Sequence, residues 1–335
     1  MTTSPVVMFS ARFLDDQTRH FLEQHAELRQ LDPALYPNES TMSATELAAA
    51  LHGVSGWILG HPLVDRAVLE CVPSVKVIAR RGVGYEKVDA QAAGELGKVV
   101  TIARGGNEDT VADHTIALML GVGRRLRESH NEMIANRWSI LLGTDLFGKT
   151  VGLFGDGWIA RKVIQRLKGF DVRTLVHTRR PDADYAAKHD IEYVSFERLL
   201  EESDYLSLHA PLNNETHGLI GRDTLKRMQP TSILINTARA QLIDEAALLS
   251  ALEENTIAGA GLDVLCGETD LSQRPLAAKL LALPNVLVTP HAAASTHEAL
   301  ARTNMVAARS VIDVLEGRMP PRQCIVVDGR TKGKS

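Results

Sequence analysis

Short apolar runs alternate with helix-period segments along nearly the whole chain. Runs at 6–9, 27–31, 56–59, 75–79 and 98–102 read as strands, and helical patterns at 15–24, 44–51, 64–71 and 89–96 separate them. Repeated strand–helix alternation predicts a parallel sheet with helices on both faces. Arg104-Gly-Gly-Asn107 then punctuates the chain as a domain crossover, and one long helix is predicted over 109–135. A second alternating series opens at Thr150, with strands predicted at 151–154, 172–177, 205–209, 232–236, 257–262 and 286–288. Six strands complete a doubly wound nucleotide domain. The helical pattern at 296–316 and the run 325–327 are left over, and are predicted to return to the first domain. The expected fold is α/β, with two doubly wound parallel-sheet domains. A length of 335 residues agrees with more than one core.

The second series begins with Val151-Gly-Leu-Phe-Gly-Asp-Gly-Trp-Ile-Ala160, a strand, a glycine turn and a helix in the order a dinucleotide fold needs. Gly155 permits the tight turn and Gly157 lets a pyrophosphate approach. The amides of Gly157, Trp158 and Ile159 open a helix whose positive end faces the phosphates. Asp156 puts an unexplained negative charge in this turn. Gly143 to Thr150 matches the pattern of an NTP phosphate loop but precedes a strand instead of following one, so the match is chance.

The strand at 172–177 ends in Thr178-Arg179-Arg180, where an NAD site would carry an acid for the ribose hydroxyls. Arginine forks suit a 2′-phosphate. The expected coenzyme is therefore NADP, with NAD the lesser alternative.

Charge and cysteine count narrow the class. Net charge is −4, which gives no basic footprint for nucleic acid. Cys71, Cys266 and Cys324 are far apart, so neither a disulfide framework nor a zinc site is expected. No apolar run spans a bilayer and no leader pattern opens the chain. A cytoplasmic protein is expected, with the sequons at Asn38 and Asn214 idle.

In an open parallel sheet, ligands bind beyond the carboxyl ends of the strands. Asn236-Thr237-Ala238-Arg239 follows one strand. Asp263, with Glu268 in its loop, follows the next, and Thr289-Pro290-His291 follows the last. Arginine, carboxylate and histidine from three successive strand ends suit the reduction of a ketone. The arginine stabilises charge growing on the carbonyl oxygen and grips a carboxylate. The histidine supplies the proton, and the carboxylate orients it and favours its charged form.

These stretches resemble the D-isomer-specific 2-hydroxyacid dehydrogenases. The resemblance rests on Arg81-Gly-Val-Gly-Tyr-Glu-Lys-Val-Asp89, Asn107 with Val111-Ala-Asp-His114, the glycine turn, His209-Ala-Pro-Leu212, Ile235-Asn-Thr-Ala-Arg239, Gly261-Leu-Asp-Val264 with Glu268, and Val288-Thr-Pro-His291. It implies a Rossmann-type coenzyme domain, 105–295, inserted in a flavodoxin-like substrate domain, 1–104 with 296–335. It implies that Arg239 binds substrate, that Glu268 is the partner acid and that His291 is the acid/base. The amides of Val83 and Gly84 would hold the substrate carboxylate. Thr110, His209, Pro211, Thr237, Ala238, Asp263 and His291 would line the coenzyme beside the glycine turn and Thr178 to Arg180. A homodimer is implied, built on the long helix from Asp109, and Trp138 would reach toward the partner.

The family typically has glycine where Ala240 stands and proline where Thr269 stands, and phosphoglycerate enzymes carry an arginine where Gly60 and His61 stand. The expected reaction is NADPH-linked reduction of a small 2-oxo acid, glyoxylate- or hydroxypyruvate-like, to a D-2-hydroxy acid. Trp57, Leu59, His61, Arg81 and Tyr85 are expected to set the substrate. The alternative is a nucleotide-sensing binding protein of the same fold, resembling a corepressor.

Overall fold

The structure, a computed structural model, describes residues 4–31 and 39–330, so the sequon at Asn38 lies outside the described residues. Its strands are β1 Val6–Phe9, β2 Glu27–Gln30, β3 Gly56–Leu59, β4 Val77–Arg80, β5 Val99–Ile102, β6 Thr150–Phe154, β7 Arg173–His177, β8 Ile191–Tyr193, β9 Tyr205–Leu208, β10 Ile233–Asn236, β11 Gly259–Leu262, β12 Val286–Val288 and β13 Ile325–Asp328. The chain divides into two compact units, one of residues 1–107 with 295–335 and one of residues 108–294.

The first unit carries a sheet in the order β13-β5-β4-β3-β1-β2. Its five parallel strands follow the flavodoxin-like order, and β13 adds an antiparallel edge on β5. Strands β3, β4 and β5 are buried at every position. A parallel sheet covered on both faces requires such unbroken apolar runs. Helix His297–Leu315 supplies Ala307, Ala308, Val311 and Ile312 to one face. The tail therefore returns to this unit through both its helix and β13. Trp57 and Leu59 have no exposed surface and pack in the core on the other face. The expectation that they help set the substrate is corrected: strand periodicity turned them inward. His61 and Arg81 follow strand ends; His61 is exposed, Arg81 keeps partial exposure, and Tyr85 is exposed.

The second unit carries a sheet in the order β12-β11-β10-β9-β6-β7-β8, parallel throughout. The strand order reverses between β6 and β9, and that switch opens a crevice at the carboxyl ends. Strand β8 was not expected. It is an edge strand of three residues, Ile-Glu-Tyr, too short for a periodic signal. The single helix predicted over 109–135 is two, Glu108–Gly123 and Leu126–Ile134. Arg125 between them adopts φ +51°, a left-handed conformation that ends the first ladder and re-aims the chain.

Helix Glu108–Gly123 lies close against β11. A Cβ on Gly261 would come within 3.0 Å of the Leu118 Cβ, and one on Gly259 within 2.8 Å of a Val122 methyl. The small residues of β11 thus set the helix depth, which brings Thr115 and His114 to the strand ends.

Candidate active site

The glycine turn has the geometry a pyrophosphate needs. Gly155 holds φ +109°, and a Cβ there would lie 2.6 Å from the His209 carbonyl oxygen. Conformation and space both demand glycine. Gly157 has ordinary extended backbone and nothing within 4 Å of where a Cβ would stand, so its contribution is open approach. It caps helix Trp158–Leu167 without any side-chain hydrogen bond, which leaves the first amides directed at the turn. These residues fit a dinucleotide.

Asp156 does not oppose it. Its carboxylate turns away to Arg161, at 3.0 and 3.1 Å, and accepts the Tyr193 hydroxyl at 2.6 Å. Burial, with Asp156 beside it, pushes the Tyr193 phenol up to about 12. Arg161 also reaches Asp182 and lies 4.0 Å over the Tyr185 ring. The negative charge the sequence left unexplained is therefore neutralised behind the turn. Trp158, at the helix start, is half-exposed and contributes backbone.

Arg179 and Arg180 follow β7 in exposed positions. Thr178 Oγ1 accepts the Arg180 amide. Arg179 pairs with Glu215 at 2.8 Å, both largely exposed, so the pair is weak and readily exchanged. Glu215 was missed in the sequence because it lies 36 residues away in the loop after β9. In that loop the Thr216 hydroxyl donates to the Pro211 carbonyl, fixing the turn that His209 begins. His209 Nε2 lies 2.9 Å from Ser207 Oγ, and burial pushes the imidazole down to about 4. At neutral pH it is uncharged.

Beyond β10, Asn236 folds the turn that presents Arg239. Its amide donates to the Arg239 carbonyl at 2.8 Å and its oxygen accepts the Ala238 amide at 3.0 Å. Thr237 Oγ1 meets Thr115 Oγ1 at 3.1 Å, tying this turn to helix Glu108–Gly123. Arg239 is half-buried, and its Nη1 donates to the Ala238 carbonyl. Ala240 opens a one-turn 3-10 segment and is absent from the residues of positive φ, so the methyl group creates no strain.

Asp263, 1% exposed, anchors the loop after β12. It accepts the Thr289 hydroxyl at 2.6 Å and the amides of Ala292 and Ala293, while its carbonyl accepts the His291 amide at 2.7 Å. His114 Nε2 joins this group 2.9 Å from Thr289 Oγ1, a placement the sequence did not assign. The Asp263 oxygens secure the His291 loop. His291 itself sits at φ +54°, with Nδ1 at 3.0 and 2.9 Å from the two oxygens of Glu268. Glu268 ends the 3-10 turn Cys266–Glu268. Both side chains are partly exposed. Burial, with Glu245 beside it, pushes the Cys266 thiol up to about 12, so it is not a reactive thiolate near neutral pH. Thr110 lies buried in the first turn of its helix, and Val83 and Gly84 lie in the loop after β4 of the first unit.

A family model described as D-isomer specific 2-hydroxyacid dehydrogenase, NAD binding domain, matches residues 116–293. A glyoxylate reductase from Korarchaeum cryptofilum is 38% identical over 264 residues, covering 77% of this chain and 78% of that protein. This chain belongs to the D-isomer-specific 2-hydroxyacid dehydrogenases. A D-3-phosphoglycerate dehydrogenase from Mycobacterium leprae is 35% identical over 329 residues, 97% of this chain and 59% of that one. The solved structure of the TT0316 protein from Thermus thermophilus superposes with a TM-score of 0.84 at 34% identity, covering 96% of this chain and all of that one. The dehydrogenase is thus an NAD(P)-dependent enzyme of 2-hydroxy and 2-oxo acids. No described helix is long and apolar enough to cross a membrane.

Proposed function

We propose that this dehydrogenase reduces small 2-oxo acids of the glyoxylate and hydroxypyruvate kind to D-2-hydroxy acids, with NADPH as the preferred coenzyme. The observation that carries the reading is the Glu268–His291 pair, held on loops after β11 and β12, with Arg239 on the turn after β10. The nicotinamide supplies the hydride when bound. Arg239 grips the substrate and balances charge growing on its carbonyl oxygen. With Nδ1 facing Glu268, His291 presents Nε2 as the atom that gives the proton to that oxygen, and takes it back in the reverse direction. Glu268 keeps the ring oriented.

The NADPH preference rests on β7, which ends without a carboxylate and is followed by Arg179 and Arg180. Changing both to alanine is expected to raise the KM for NADPH at least tenfold and that for NADH less than twofold. Equal effects on the two coenzymes would refute the assignment. The direct test measures oxidation of NADPH and of NADH, each with glyoxylate and with hydroxypyruvate. Turnover favouring NADPH supports the whole reading, and turnover favouring NADH keeps the enzyme but removes the arginine argument.

A homodimer completes the reading. Met133 and Ile134 end helix Leu126–Ile134, and the chain then runs extended with Trp138, Ile140 and Leu142 at 79%, 92% and 85% exposure. Apolar side chains concentrated on one short segment mark an interaction surface. We expect a particle of twice the 36.5 kDa chain mass in light scattering, and a monomer for Trp138→Glu with Ile140→Glu. A monomeric wild type would overturn it.

A further inference from the structure

One buried carboxylate has no part in the chemistry above. Glu245 is the first residue of helix Glu245–Glu253 and is 6% exposed. An acid at a helix start normally faces the free amides there. In this helix Asp244 does that work, accepting the Ala246 and Ala247 amides at 3.0 Å each. Glu245 instead turns inward and accepts the Cys266 amide at 2.7 Å. Burial raises its own pKa, the mark of a carboxylate held where water does not reach it well. A buried charge is costly unless it is hydrogen-bonded, so this bond is the one that justifies the position.

The two ends of the bond matter. Cys266 opens the 3-10 turn that ends in Glu268, and Glu245 follows the turn of Arg239 by six residues. On its other side, the Cys266–Glu268 turn is packed against helix Arg274–Ala282, where a Cβ on Gly267 would come within 3.3 Å of the Arg274 backbone. The turn is thus packed against helix Arg274–Ala282 and tied to Glu245, whose carboxylate accepts the Cys266 amide and also meets the Cys266 thiol.

We infer that Glu245 is a positioning residue for Glu268: its bond to the Cys266 amide holds the Glu268 carboxylate in register with His291. This rests on the reading of Glu268 and His291 as the proton-handling pair. Asp270 and Arg274 also lie beside the turn, and none of the test variants alters either.

The test compares pH profiles of 2-oxo acid reduction. His291 must carry its proton to donate it, so activity falls as pH rises. Glu268→Gln removes the carboxylate partner and is expected to move the falling limb to lower pH. Glu245→Ala is expected to move the limb the same way and to lower kcat about tenfold, with KM for the oxo acid and coenzyme affinity changed less than twofold. Glu245→Gln keeps an acceptor oxygen and is expected to restore the wild-type limb. Cys266→Pro provides a second route that leaves Glu245 in place. It deletes the donor amide along with the thiol, at a position whose preceding residue is extended, at ψ 147°, which suits proline, and Cys266→Ala, which removes the thiol and keeps the amide, is its control. The proline variant is expected to reproduce the shift and the alanine control is not. A mere loss of stability lowers the melting temperature without moving the limb. An unmoved limb in both folded Glu245→Ala and Cys266→Pro overturns the inference, and so does a Glu245→Gln as impaired as Glu245→Ala. An unmoved limb in Glu268→Gln instead refutes the reading beneath it.

Discussion

Replacing His291 by asparagine is expected to lower kcat/KM for 2-oxo acid reduction by about 10³, the middle of the range for loss of a positioned general acid. Asparagine is the informative substitute because His291 sits at φ +54°, where asparagine is tolerated and alanine adds backbone strain. The loop does not depend on the imidazole for its shape. Asp263 holds it through the amides of Ala292 and Ala293 and the hydroxyl of Thr289, all outside the substituted side chain. The variant is therefore expected to fold, to melt near the wild-type temperature and to bind coenzyme within a few-fold of wild type. The loss should fall on kcat, since the proton is delivered as the carbonyl is reduced. Turnover within tenfold of wild type on the best substrate would remove His291 as acid.

Arg239→Gln is expected to lower kcat/KM by about 10³, and here both constants should change. The proposed role has two parts. A grip on the substrate carboxylate exists before and during reaction and appears in KM, whereas balancing charge on the carbonyl oxygen appears in kcat. Arg239→Lys keeps the charge but loses the planar fork, so it should recover part of kcat and little of KM. Asn236 shapes the turn through backbone groups of Ala238 and Arg239, so either variant leaves the presenting turn intact. A change confined to KM would leave substrate binding as its whole contribution.

Much of this was legible in the sequence because a doubly wound sheet imposes a local rule. Strands buried on both faces must be apolar, and polar groups gather where they end. Strands β6, β9, β10, β11 and β12 and the residues after them follow that rule, so Arg239, Asp263, Glu268 and His291 could be read off as strand-end groups. The glycine turn was equally local, because Gly155 answers to a backbone angle and to one close carbonyl. Other features depend on which loops meet. Asp156 looked hostile to a pyrophosphate until Tyr193, 37 residues on, and Arg161 turned it away. Glu215 met Arg179, and Glu245 met Cys266, only because successive crossovers return each chain segment to the same edge of the sheet. Trp57 and Leu59 were drawn inward by the strand that carries them, since burying two large apolar side chains outweighs any use at a surface. The sequence alone thus determined the two sheets except for the short edge strand β8, the glycine turn and the candidates Arg239, Glu268 and His291, which local patterning encodes. The tertiary structure alone decided which charges are neutralised, that Glu268 faces His291 and that Glu245 meets Cys266, because those depend on contacts between distant segments.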